Sequence, residues 1–285
     1  MRTRSPYNFR LSLRVMNSFS HEPGRTADQM RFGARIGEKP VVMTICSKRA
    51  HARELDLSAS APVPEADLEA LARWVLFDEL DLRPFYRIAE PHPVLGPIIH
   101  VLRGVKPVRP ASLLEMAVIV ITEQQISLAA AYKIRTRLLE RYGDPVYGVW
   151  VFPDAGVLAR ASLEEFRACG YSQRKAEYIH DFASRVAEGF LDLEGMKTLS
   201  DDKVFESLLG IRGWGPWSAN YFLIRGLARP DQIPADDLAV RTVVGNYLGH
   251  GSRANPREVA ELVEPFRPYR GITAFYLLAY GRMGK

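Results

Sequence analysis

A change in the spacing of apolar residues near residue 83 constrains the fold of this chain more than any other feature. Beyond it, apolar residues recur at helical spacing in one segment after another, from residues 113–121 to residues 272–280. Before it, short runs alternate apolar and polar residues between glycines, which is typical of strands. We therefore predict an α+β fold, with a small antiparallel sheet domain over residues 1–82 and a mostly α-helical domain over residues 83–285.

The predicted sheet domain contains strands, glycine turns and one helix. Strands are expected over residues 9–15, 41–46 and 55–57, with turn points at Gly24, Gly33 and Gly37. After Pro64, apolar residues such as Leu68, Leu71 and Val75 repeat at helical spacing. We expect this helix to lie across the sheet.

Composition excludes several kinds of site. Cys46 and Cys169 are the only cysteines, too few for a disulfide framework, a four-thiolate iron–sulfur cluster or a Cys-rich zinc site. The six histidines show no metal-ligand spacing, and no apolar run approaches the length of a membrane span. The basic start has no apolar segment of a signal peptide behind it. We expect a cytoplasmic protein without membrane contact, and its net charge of +5 permits nucleic-acid binding without establishing it.

One helix–helix turn is the most informative segment of the helical part. A helix ends near Leu209, Gly213 and Gly215 flank the apolar Trp214, and Pro216 then begins a new helix. Glycines let the backbone turn tightly and approach another molecule, and the free N–H groups at a helix start attract phosphate. We expect Trp214 to pin the turn to the core. An ordinary helix–helix turn is the alternative for this segment taken alone.

We call this helix–helix turn the hairpin. Two adjacent aspartates, Asp236 and Asp237, open the amphipathic helix that follows it. Aspartate is among the best N-cap residues, so an N-cap is the simplest interpretation of the pair. One carboxylate suffices for a cap, which leaves the second free for another role.

Taken together, these features resemble the helix-hairpin-helix glycosylase superfamily, and within it the AlkA-like 3-methyladenine DNA glycosylase II family. The matching pieces follow the family's order, at residues 123–127, 170–179, 213–222, 234–238 and 266–270. The resemblance covers roughly residues 90–285. It implies a two-lobed HhH-GPD domain with its site in the cleft between the lobes, and it implies double-stranded DNA with a flipped base as the partner of a monomer.

The resemblance also implies a role for individual residues. Asp237, and not Asp236, falls on the catalytic position, and Trp217 falls where lyase-competent relatives carry a lysine. Gln125 falls on the side chain that wedges into the duplex. The base pocket is assigned to Trp217, Tyr221, Tyr276 and Leu278. The phosphate-binding hairpin is assigned to Gly213, Trp214, Gly215 and Ser218, and the carbonyls of Leu209 and Ile211 to an alkali cation, Na⁺ or K⁺.

Two pocket positions depart from the best-known bacterial members, because Leu278 and Leu238 stand where those members carry aromatic residues. Tyr276, Tyr280 or Phe275 can supply the missing rings, with core packing of the last helix as the alternative.

The function that the resemblance implies is a monofunctional glycosylase that removes 3-methyladenine-type alkylated purines in base excision repair. The alternatives are a glycosylase for oxidised or deaminated bases and a non-catalytic DNA-binding module.

Overall fold

The computed structural model describes residues 1–4, 6–19, 24–47 and 54–283. Its helices, numbered in chain order, are α1 (Phe9–Phe19), α2 (Glu65–Val75), α3 (Arg83–Ala89), α4 (Leu95–Val101), α5 (Leu113–Glu123), α6 (Leu128–Tyr142), α7 (Ala155–Arg160), α8 (Leu163–Ala168), α9 (Gln173–Ala187), α10 (Asp201–Leu209), α11 (Pro216–Arg225), α12 (Leu238–Tyr247), α13 (Pro256–Val263) and α14 (Arg270–Met283). Its strands are β1 (Gln29–Ile36), β2 (Lys39–Cys46), β3 (Asp56–Ala59), β4 (Asp144–Val146) and β5 (Val149–Val151). The predicted α+β class, a small antiparallel sheet followed by a mostly helical region, is confirmed.

The N-terminal sheet has the order β1-β2-β3, and both pairs of strands are antiparallel. Gly37, with a φ of +60°, makes the turn between β1 and β2 as predicted. The prediction of a turn at Gly33 was wrong, because Gly33 lies inside β1. A Cβ atom there would stand 2.3 Å from the carbonyl oxygen of Trp150, so this glycine admits the β4–β5 hairpin against the sheet.

The prediction of a strand over residues 9–15 was also wrong, since this segment belongs to helix α1. Its buried side chains include Phe9, Leu13 and Met16, which lie on one face of a helix, and α1 contacts α14. Asn8 supplies the start signal, because its side-chain oxygen accepts a hydrogen bond from the Leu11 N–H at 3.1 Å. Tertiary packing on α14 therefore decides between two periodicities that the sequence allows.

Two apolar cores organise the helices. The first combines α1 and the sheet with α2–α4 and the C-terminal helices α12–α14. The second is built from α5–α11. The chain thus leaves the first core after α4 and returns to it at α12, and the half-buried side chains of Trp74 and Tyr221 pack against both cores. The division at residue 82 stays a prediction.

In the described ranges, no helix combines the length and the apolar character that crossing a bilayer requires.

Candidate active site

The turn between α10 and α11 is built around one left-handed glycine. Gly213 has a φ of +88°, and a Cβ atom there would lie 2.3 Å from the ring of Tyr178. Gly215 is the extended N-cap of α11, with open space where a Cβ atom would stand. Pro216 follows in the first turn of the helix, as predicted. Glycine is therefore required at 213 by the backbone geometry of the turn. At 215 it leaves the face at the start of α11 open.

Trp214 fixes this turn to the second core. Its side chain is 6% exposed, stacks on Phe182 with 5.4 Å between ring centroids, and meets Phe222 edge to face at 5.5 Å. Its backbone N–H donates to the Ile211 carbonyl at 3.1 Å. The prediction that Trp214 pins the hairpin to the core is confirmed.

The start of α11 leaves backbone donors available. Trp217 and Ser218 follow Pro216 in the first turn, where a helix offers no intrahelical acceptor for N–H groups, and α11 has no side-chain cap. The Ser218 side chain is buried, and its hydroxyl accepts a hydrogen bond from Gln124 Nε2 at 3.0 Å. Its backbone, rather than its hydroxyl, is therefore the group that suits an anion. Phosphate binding by residues 213–215 and Ser218 stays a prediction.

The carbonyls assigned to an alkali cation belong to the end of α10 and the turn after it. Leu209 is the last residue of α10, where carbonyl oxygens carry partial negative charge. The Ile211 carbonyl accepts the Trp214 N–H and keeps a second lone pair. These oxygens fit an alkali cation in chemistry, and the ion stays a prediction.

The loop between α5 and α6 carries Gln125 outward beside the hairpin. Gln125 is exposed, and its φ of +56° lies in the left-handed region. Its neighbour Gln124 donates from Nε2 to the Gly213 carbonyl at 2.9 Å. Lys175 Nζ donates to the carbonyls of Thr122 at 2.8 Å and Gln124 at 2.6 Å. The loop is thus tied to the hairpin on one side and to α9 on the other, and the wedge role of Gln125 stays a prediction.

Asp237 lies at the start of α12 with both carboxylate oxygens hydrogen-bonded. Oδ1 accepts from the backbone N–H groups of Ala239 at 2.8 Å and Val240 at 3.1 Å. Oδ2 accepts from the indole Nε1 of Trp217 at 3.0 Å. Three N–H donors and the start of a helix therefore stabilise its negative charge and hold it in one orientation.

One aspartate of the pair serves both as the N-cap and as the partner of Trp217. Asp237 itself is the N-cap of α12, whereas Asp236 is exposed. The reason is geometric, because a capping side chain reaches the N–H groups two and three residues further on, and α12 begins at Leu238. Capping occupies one carboxylate oxygen and leaves the second directed at Trp217.

An aromatic pair and a largely buried carboxylate extend this site away from Asp237. Trp217 and Tyr221 lie one turn apart on α11, with 5.2 Å between ring centroids. The Tyr221 hydroxyl donates to Glu123 Oε2 at 2.9 Å, and Glu123 Oε1 accepts from Arg135 at 2.7 Å. Burial, and after it the charge of Glu123, raise the pKa of the Tyr221 hydroxyl well above its ordinary value. The site is thus a chain of contacts from Asp237 to Glu123.

Comparison with known proteins shows the family of this chain. A family model described as HhH-GPD superfamily base excision DNA repair protein matches residues 118–268, more than half of the chain. The chain belongs to this superfamily. The matched range contains the α5–α6 loop, the hairpin, Asp237 and Glu123.

Individual relatives of this HhH-GPD protein match over most of its length. A Bacillus subtilis protein named DNA-3-methyladenine glycosylase is 29% identical over 228 residues, 78% of this chain and 75% of the relative. The structure of a 3-methyladenine DNA glycosylase from Archaeoglobus fulgidus has a TM-score of 0.84 at 24% identity and covers 99% of this chain and 98% of its own. A Schizosaccharomyces pombe 3-methyladenine DNA glycosylase in complex with abasic DNA has a TM-score of 0.61 at 24% identity, covering 68% and 95%. Both solved structures are similar in fold to this chain.

The assignment of Tyr276 to the base pocket was wrong for this HhH-GPD protein. The Tyr276 side chain is fully buried in the first core, and its hydroxyl donates to the Val105 carbonyl at 3.0 Å. The Tyr86 hydroxyl lies 2.9 Å from the Tyr276 hydroxyl oxygen. Every polar and apolar surface of Tyr276 is therefore occupied by the protein, as the core-packing alternative requires.

The other aromatic residues of α14 also pack within the protein. Phe275 is buried against Tyr276, and Tyr280 packs edge to face on Tyr247. Leu278 is half-buried and Leu238 exposed, so their relation to a base stays a prediction.

Glu123 is a site residue that the sequence interpretation missed. Glu123 begins the segment 123–127 that matches the family, but no role was assigned to it. The available signal was a carboxylate at the end of the strongly apolar helix α5, where a charge is costly unless it has partners.

Proposed function

We propose that this protein is a monomeric, monofunctional DNA glycosylase that excises 3-methyladenine-type alkylated purines from double-stranded DNA. The proposal extends the family assignment by one step, from base excision repair to a substrate class. It is supported by the name of the Bacillus subtilis relative, DNA-3-methyladenine glycosylase, and by a related fold solved with abasic DNA, the product of such a reaction.

The observation that carries the proposal is the carboxylate of Asp237, which accepts a hydrogen bond from the indole of Trp217, whose ring in turn packs on Tyr221. A base inside a duplex exposes its glycosidic bond poorly, so an enzyme of this class flips the nucleotide out of the helix. A base that enters beside the two rings brings its sugar towards Asp237. This site therefore offers one group for the base and another for the sugar.

The chemistry of Asp237 follows from the charge that develops on the sugar. Cleavage of an N-glycosidic bond builds positive charge at C1′, as in other glycosyl transfers. A preorganised carboxylate stabilises that charge, and it can orient or deprotonate the attacking water. Its N–H partners keep the carboxylate in place during the reaction, which is the form of electrostatic stabilisation that requires no reorganisation.

The aromatic pair favours a base that is already cationic. Purines alkylated at N3 or N7 carry a positive charge, so the leaving base needs no general acid. Electron-rich ring faces attract a cation placed over them, and Trp and Tyr are among the rings that do so best. Trp217 and Tyr221 thus favour cationic purines. These are also the substrates that Asp237 can release without a general acid.

The hairpin and the loop beside it hold the duplex in this proposal. Backbone N–H groups at Gly213, Gly215 and Ser218 bind a phosphate without reading sequence. The carbonyls of Leu209 and Ile211 would hold an alkali cation, whose positive charge would add to the attraction for phosphate. Gln125 fills the gap left by the flipped base, which offsets part of the cost of unstacking.

We expect no lyase activity, because a lyase needs a lysine amine that forms a Schiff base with the sugar. The position that resembles the lysine site carries Trp217. Lys175, a nearby lysine on α9, has its amine engaged with two backbone carbonyls.

A panel of duplexes with single modified bases, incubated with excess protein and then heated in alkali, tests the proposal. Strand breaks at 3-methyladenine or 7-methylguanine in excess of those in a protein-free duplex treated in the same way support it. Breaks only at oxidised or deaminated bases would transfer the function to that class, and no breaks at any lesion would leave a non-catalytic DNA-binding protein.

A further inference from the structure

Glu123 is a largely buried carboxylate with two different partners. Its side chain is 10% exposed, and it ends a helix whose other residues are almost all apolar. Oε1 accepts a hydrogen bond from Arg135, itself 15% exposed, and Oε2 accepts the hydroxyl hydrogen of Tyr221. Burying a carboxylate costs several kcal/mol unless it is paired. The ion pair with Arg135 is enough to offset the cost of burying the carboxylate. The hydrogen bond from Tyr221 is therefore an additional interaction that burial does not require.

The charges around Tyr221 define what its ring presents to a ligand. The Arg225 guanidinium lies 6.0 Å from the ring centroid and donates to the Val108 carbonyl. Arg135 donates to Oε1 of Glu123, the oxygen that does not accept from Tyr221. The hydroxyl of Tyr221 therefore donates to an anion while its ring contacts Trp217, the partner of Asp237.

A phenol that donates to a carboxylate gains electron density. Hydrogen bonds to an ionised acceptor are short and strong, and they polarise the O–H bond towards the acceptor. The density that accumulates on the phenolic oxygen is shared with the ring, whose faces become more negative. A more negative face binds a cation more strongly and leaves a neutral base nearly unaffected.

We propose that Glu123 is a specificity-determining residue that acts through Tyr221. It makes the face of the Tyr221 ring bind cationic bases in preference to neutral ones. It contacts neither base nor sugar, and so it is a positioning residue rather than a catalytic one. The inference rests on the proposed function, since it assumes that a flipped base stacks beside Trp217 and Tyr221.

The test compares a cationic with a neutral lesion in the full-length protein. Single-turnover release is measured from duplexes with 7-methylguanine and from duplexes with hypoxanthine. Glu123→Gln keeps an oxygen that can accept from Tyr221 but removes the charge. We expect release of 7-methylguanine to slow by about five- to tenfold, the size of a partly desolvated cation–π interaction, with hypoxanthine unchanged. Asp181→Asn, which removes a carboxylate from an exposed ion pair with Arg185 on α9, is the matched control and should change neither rate.

A second variant separates the electrostatic effect from loss of structure. In Tyr221→Phe the route from Glu123 to the ring is absent, so adding Glu123→Gln should cause no further loss of selectivity. If hypoxanthine release by the wild type is too slow to time, the affinity of the Asp237→Asn protein for the two duplexes, with and without Glu123→Gln, supplies the same ratio.

Equal losses with both lesions in Glu123→Gln, or an undiminished loss in the Tyr221→Phe background, would overturn the inference. Neither result would touch the proposed function. Conversely, a wild-type protein that releases no 7-methylguanine or 3-methyladenine would refute the proposed function itself.

Discussion

The hairpin glycines give a prediction that separates folding from DNA binding. Gly213→Ala places a Cβ atom 2.3 Å from the Tyr178 ring at a residue whose φ is +88°. The left-handed backbone alone costs about 1–3 kcal/mol for a residue with a Cβ, and displacement of the half-buried ring adds to it. We expect the free energy of unfolding to fall by roughly 2–4 kcal/mol in total, which combines this strain with the usual range for a packing defect.

Gly215→Ala should behave in the opposite way. The residue is extended and a Cβ atom meets nothing within 4 Å, so the fold should be unaffected. If a DNA phosphate approaches this face, the added methyl group stands in its path, and affinity for duplex DNA should fall by about tenfold, equivalent to one good hydrogen bond to a charged group. The fall should be the same for any sequence, because backbone groups make the contact.

Gly210→Ala is the matched control for both changes. Gly210 is in the same hairpin, and a Cβ atom there would make only ordinary contacts, the nearest at 3.4 Å. Denaturant unfolding and fluorescence-anisotropy titrations of a labelled duplex measure the two quantities. Equal stability of the Gly213→Ala and Gly210→Ala proteins would refute the reasoning about the turn. Undiminished DNA affinity of the Gly215→Ala protein would refute the phosphate contact.

Three further predictions concern the wedge, the absence of lyase chemistry and a buried lysine. Gln125→Ala should slow single-turnover base release with the melting temperature unchanged, because the side chain is exposed in the free protein. An unchanged rate would make it a solvated loop residue. Borohydride should trap no covalent protein–DNA adduct, since Trp217 carries no amine, and a trapped adduct would contradict the assignment. Burial lowers the pKa of Lys106 to about 8 from its ordinary 10.5, so the folded protein loses this proton first. Stability relative to Lys106→Met should therefore rise between pH 8 and 10.5, by up to about 3 kcal/mol in denaturant unfolding, and a pH-independent difference would exclude this.

The helical part of the fold was predictable because its apolar periodicity is long and its helix starts carry clear signals, such as Pro216 after Gly215. The strand prediction for residues 9–15 was wrong because a run of seven residues that alternates apolar and polar also fits a helix when one face packs on α14. Asn8, the capping residue that distinguishes the two, was a local signal that periodicity outweighed.

The candidate site was predictable only in part, and for physical reasons. Asp237 and Trp217 follow from motif positions, but their hydrogen bond depends on how α11 and α12 pack. Tyr276 was misassigned because an aromatic residue on a helix reveals nothing about which way it points. Glu123 was missed because its role requires two partners, Arg135 and Tyr221, that lie 12 and 98 residues away in sequence.

The most direct test of the central claim, that the carboxylate of Asp237 performs the chemistry, is the single-turnover rate of base release by Asp237→Asn. Asparagine can still cap α12, but one of its two polar atoms is mismatched, since its amide nitrogen faces either Trp217 Nε1 or the backbone N–H groups. Stability should therefore fall by only about 1 kcal/mol.

The rate of 7-methylguanine release should fall by about a hundredfold or more, the usual loss of a preorganised electrostatic stabiliser, while DNA affinity holds or rises. Asp236→Asn, which removes the exposed neighbouring charge, should retain most activity. A near wild-type rate in Asp237→Asn, with only stability reduced, would mean that Asp237 is a helix cap and nothing more.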